Sequence, residues 1–187
     1  MKQQTQKSTI RFSALALSLL ALSACNMNQT TNPLDTASFR EGRFEQMQKI
    51  QGFESCRDEG LAMDSHARTR GSAGAYLNSA KVLENCTADL GNAASKIPLQ
   101  KRMRVSALAI VDYLRGGDME KARMNFEKFQ AVYPDQDLYF SDGSSFIATT
   151  DALLGRSGPM TYGEFASLNI NDQVKSEMRR INHWKNK

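Results

Sequence analysis

Metal, phosphate and acyl-transfer chemistry find little to work with in this sequence. Its 187 residues include only two histidines, His66 and His183. There is no CxxC pair, no HExxH helix and no glycine-rich phosphate loop, so the usual zinc and nucleotide sites are excluded. Gly143-Ser144-Ser145-Phe146-Ile147 comes nearest to a nucleophile elbow and lacks its second glycine. Glu54, Asp58, Glu59, Asp112 and Glu164 could each contribute to a carboxylate pair of the glycan-hydrolase kind, but no spacing selects two of them. The expectation is of a protein that is not an enzyme and takes no cofactor or metal. Long apolar runs are missing too. The one greasy stretch, Phe12 to Ala24, falls short of the ~20 residues that span a bilayer. Nor is there a large excess of one charge. Of 24 basic and 20 acidic residues, Lys2, Lys7 and Arg11 sit in the first dozen positions, and the rest is close to balance. That removes the compositional footprint of nucleic-acid binding.

What is present begins at the N-terminus. A basic, acid-free head is followed by the short apolar run and by small residues, the layout of a secretory signal peptide over residues 1–24. Leu22-Ser23-Ala24-Cys25 resembles the lipobox of bacterial lipoproteins. The resemblance implies that Cys25 receives a diacylglycerol, that cleavage precedes it, and that further acylation follows. Several chains anchor firmly where one is marginal, at roughly 0.8 kcal/mol per buried methylene. In enteric bacteria an Asp after the lipid cysteine holds such proteins at the inner membrane; Asn26 stands there instead, which points to the outer membrane and a periplasmic domain. Residues 25–38, polar and with Pro33, read as a lipidated N-terminus and tether able to span on the order of 20 Å.

With Cys25 assigned to lipid, Cys56 and Cys86 remain. An even remainder in an oxidising compartment predicts one disulfide; the other reading is two buried thiols acting as small hydrophobes.

Residues 39–187 predict an all-α domain of about six helices arranged as hairpins or a bundle. The first runs from Phe39 to Ala67, with Phe44, Met47, Ile50, Phe53, Cys56, Gly60 and Met63 as its buried face; Gly52 and Gly60 count against its continuity. His66 to Gly71 is a basic corner, read as a solvated helix end in preference to a phosphate or anion contact. The second, Ser72 to Leu90, has Tyr76, Ala80, Leu83 and Leu90 on one side and is stopped by Gly91. Both cysteines fall on apolar sides of consecutive helices. The third starts at Pro98 and breaks at Gly116-Gly117. Asp118 caps the fourth, whose stripe is Met119, Ala122, Phe126, Phe129 and Tyr133. Asp135 to Gly143 predicts a turn whose apolar residues fold back, with Ser141 or Asp142 capping a fifth helix, Ser144 to Leu154. Thr161 and Glu164 have capping-box spacing. Asn171 can cap a last helix carrying Val174, Met178, Ile181 and Trp184, whose basic end suits a helix C-terminus.

Within this frame Met103 to Gln136 resembles one tetratricopeptide repeat, a helical hairpin of 34 residues. Tyr113, Gly117-Asp118, Ala122, Phe126 and Pro134 carry the likeness; Ala109-Ile110 and Phe129 depart from it. The resemblance implies a concave face on the first helix that binds an extended peptide or partner helix. Here that face is Arg104, Ala107, Val111, Leu114 and Arg115. The function expected is that of an outer-membrane lipoprotein serving an envelope complex as adaptor, pilotin-like chaperone or stabilising subunit of secretion, pilus or export type. An envelope enzyme acting on peptidoglycan and a surface-facing exclusion lipoprotein are the alternatives.

Overall fold

The computed structural model describes residues 33–185. The expected signal peptide and the expected lipidation site, Cys25, lie outside them, as does most of the expected tether. The chain divides after Gly42 into two units. The first enters the described residues only as the opening turns of α1; the second, Arg43–Lys187, holds everything that follows. Among the described residues all regular structure is helical, with a single isolated bridge between Tyr139 and Ser145.

Helix α1 runs Pro33–Arg70, starting ahead of the expected Phe39. Its buried side is Phe53, Gly60, Asp64 and Ala67. Phe44 and Met47, expected on that side, are exposed. The reason is that α1 meets apolar neighbours only from Ile50 onward, through Phe53 and Cys56. Helical spacing marks a stripe but not whether anything covers it.

Helix α2, Ala73–Cys86, is capped by Ser72 and ends a turn before the expected Leu90. Leu90 stays buried at the head of a 3-10 turn, Gly91–Lys96. Cys56 and Cys86 are joined as a disulfide, with Cα atoms 5.5 Å apart, which fastens the middle of α1 to the end of α2.

Helix α3, Leu99–Gly116, closes on Gly117 at φ 84°, the left-handed conformation that glycine adopts without steric cost. Asp118 then accepts the Lys121 N–H at 3.0 Å and starts α4, Met119–Val132. The two form a helical hairpin. Ala122, Phe126, Phe129 and Tyr133 are buried as expected, whereas Met119 is exposed. Phe126 and Phe129 meet Phe146 edge-to-face at 6.1 and 5.2 Å, the arrangement the ring quadrupoles favour.

Helix α5, Phe146–Leu153, is capped by Ser145, not by Ser141 or Asp142. Asp142 instead accepts the Ser144 N–H at 3.0 Å within the turn. Helix α6, Tyr162–Ala166, has the full capping box of Thr161 and Glu164. Asn171 accepts the Val174 N–H at 2.8 Å at the start of α7, Asp172–Lys185. On α7 Met178 packs inward, but Val174, Ile181 and Trp184 are exposed. Five-residue α6 has too little surface to cover them.

Candidate functional site

The site is built outward from α3. Two adjoining cavities of about 430 and 470 Å³ lie along it and share Val111, Arg115, Phe140, Phe146 and Asn169, so they form one groove. All five residues expected on the concave face line it. Arg104, Ala107, Val111 and Arg115 line one cavity; Val111, Leu114 and Arg115 line the other. Ala107 is buried and sits in the floor.

The opposite wall comes from the turn before α5, expected from the sequence only to fold back. Leu138 and Phe140 pack on the core while Tyr139 stays exposed. Asp137 holds that turn in place: its carboxylate accepts the Ile147 N–H at 3.1 Å and the Ser145 hydroxyl at 2.5 Å. The groove wall is therefore tied to the N-terminus of α5 by charge-assisted hydrogen bonds.

Three cations line the groove: Arg68, Arg104 and Arg115. No aspartate or glutamate lines either cavity. Arg104 is exposed. The other two are positioned by carboxylates set behind them. Arg68 grips Asp64 one turn back with both Nε and Nη2, the two-pronged geometry of a guanidinium on a carboxylate. Arg115 Nη1 stands 3.6 Å from Oδ1 of Asp64 and 3.6 Å from Oδ1 of Asp112, and its guanidinium lies 5.6 Å from the Tyr76 ring centre. Asp64 is 2% exposed and Asp112 not at all.

Two buried aspartates so close together cannot both ionise cheaply. Burial pushes the Asp112 carboxyl up to about 7, opposed by the Ser79 hydrogen bond and reinforced by the Asp64 charge. The hydrogen bonding agrees. Ser79 Oγ is 3.1 Å from the Gly60 carbonyl and 2.7 Å from Asp112 Oδ2, two acceptors for one hydroxyl proton. Among the described residues Asp112 Oδ1 has no hydrogen-bond donor. A proton on Asp112 Oδ2 would donate to Ser79 Oγ and leave the Ser79 hydroxyl free to donate to the Gly60 carbonyl. Asp64 is the acidic partner that Arg68 and Arg115 have in common.

Sequence reading named Asp112 among candidate carboxylates but missed Asp64. The signal was there: Gly60, Asp64 and Ala67 continue the buried stripe of Phe53, and Arg68 follows Asp64 by four. The basic corner is thus more than a solvated helix end. Of the other carboxylates, Glu54 pairs with Lys101 at 2.8 Å and also with Arg57. Asp58 pairs with Arg57, and Glu164 serves its cap. Both histidines are exposed. Among the described residues no cluster is fit to hold a metal ion and no helix is long and apolar enough to cross a membrane.

No family model, curated protein or solved structure matches the chain.

Proposed function

We propose that this protein is a lipoprotein of the outer membrane whose helical body acts as a protein–protein adaptor or assembly subunit of an envelope complex. One observation supports the reading above others: the five residues assigned to partner binding from the sequence converge on one groove beside α3. Such a cavity, apolar with a few fixed polar groups, is the usual form of a recognition site. The lipobox-like Cys25 supplies the anchor, and the tetratricopeptide-like hairpin α3–α4 supplies the surface. A photocrosslinking residue placed at Val111 or Leu114 in living cells tests it. Reproducible capture of one envelope protein from the outer-membrane fraction is expected, lost when the membrane anchor is removed by Cys25→Ser. A Cys25→Ser protein that stays in the outer membrane, or crosslinks that name no recurrent protein, would sink the proposal.

A further inference from the structure

The groove's three arginines and its lack of acidic lining define what it can hold. Three guanidiniums stand against two carboxyls, Asp64 and Asp112, both set behind the lining, so the cluster is net positive where it faces the groove. Arg68 spends two of its five donors on Asp64. Arg115 lies beyond ordinary hydrogen-bond reach of either aspartate. Arg104 has no ion pair among the described residues. Donors therefore remain at three points along an apolar lining made by Val111 on one wall and Leu138 and Phe140 on the other.

A second copy of this chain is a poor occupant. Two of its exposed apolar stretches carry net positive charge: Phe44 and Met47 on α1 sit among Arg40, Arg43 and Lys49 against Glu41 and Glu45, and Ile181 and Trp184 on α7 among Lys175, Arg179 and Arg180 against Glu177. Like charge on both sides opposes docking.

We infer that the groove takes an acidic amphipathic segment of a partner protein, its apolar side against Val111, Leu138 and Phe140 and its carboxylates on Arg104 and Arg115. This rests on the adaptor reading and adds the chemistry of the partner. Guanidinium on carboxylate supplies direction, and the apolar lining supplies most of the area.

The test is panning of a random-peptide phage library against the purified full-length protein in detergent micelles. Recovered peptides should join Asp or Glu to Leu, Phe or Trp, and their binding should weaken as salt rises. Arg104→Glu should lower their affinity by roughly tenfold or more and Arg104→Gln by less. Panning on Arg104→Glu should shift the recovered sequences toward Lys and Arg. Arg104 is exposed and unpaired, so these variants keep the fold, which unchanged circular dichroism would verify. Recovery of no peptide, or of neutral or basic peptides indifferent to Arg104→Glu, would overturn the inference. So would release of bound peptide by phosphatidylglycerol vesicles but not phosphatidylcholine vesicles, which would assign the groove to lipid. If the cellular crosslink names a partner whose contacting segment lacks acidic residues, the adaptor stands and this inference falls. If acidic peptides bind but no cellular partner is captured, the chemistry stands and the adaptor falls.

Discussion

Gly60 shows how much one hydrogen atom can matter. A methyl group there would collide with the side chain of Leu83, which is wholly buried and has nowhere to retreat. Gly52, earlier in the same helix, has nothing within 4 Å of where a Cβ would stand. The same substitution should thus have opposite signs. Gly60→Ala should destabilise by about 1–3 kcal/mol through overpacking. Gly52→Ala should stabilise by about 0.5–1 kcal/mol through the unfolded chain. Urea unfolding of both variants beside the parent checks the pair. Asp112 makes the second prediction. Its folded carboxyl titrates at about 7, against roughly 3.9 unfolded. Through that window the folded state holds a proton that the unfolded state releases. Stability from this group is therefore full at acid pH, falls as pH rises, and levels off above neutrality. An amide in place of this carboxyl has no such slope and can donate where the acid did. Asp112→Asn should gain on the parent by on the order of 1–3 kcal/mol between about pH 4 and pH 8. A gap that stays constant across pH would refute a proton held by Asp112.

At the scale of elements, the Cys56–Cys86 bond closes a loop with a sequence separation of 30. Cys86→Ala should cost about 3–4 kcal/mol, read as a lower melting temperature that reductant no longer changes. What was legible here was local. Gly117-Asp118, Thr161 with Glu164, and Asn171 act within one turn of themselves, and all appear where the sequence put them. The stripe of α4 was legible because Ala122 and Phe126 face a hairpin partner joined by a tight turn. The misses share a cause as well. Phe44, Met47, Met119, Ile181 and Trp184 have helical spacing, but burial needs a covering neighbour, and no local pattern says whether one exists. The groove's near wall was readable from α3. Its far wall was not, because Asp137 acts on residues across a turn of mixed polarity. Asp64 and Asp112 come from different helices, and only the fold places them together behind Arg115.

The molecule as a whole is joined through shared helices. Two apolar clusters meet on α3: one takes Met103, Ala107, Ile110 and Tyr113, the other Val105 and Ala109. Helix α5 gives Phe146 to the first and Ala152 to a third cluster with Phe165 and Leu168. Helix α2 is bound to its neighbours in another way. Leu83 is seated over Gly60 of α1, and Leu77 over Gly116 of α3, where a Cβ would also stand 3.2 Å from the Ala73 carbonyl oxygen. The two leucines lie about 9 Å apart along the helix axis. Helix α2 is thus keyed into different partners at two levels, and sliding along either drives a leucine against backbone. Its interior amides exchange when its own helical hydrogen bonds break, and unwinding it means lifting both leucines from their seats, an opening close to complete unfolding. In deuterated water the amides of α2 should be among the last to exchange, while those of α7, with three apolar side chains in solvent, should go early.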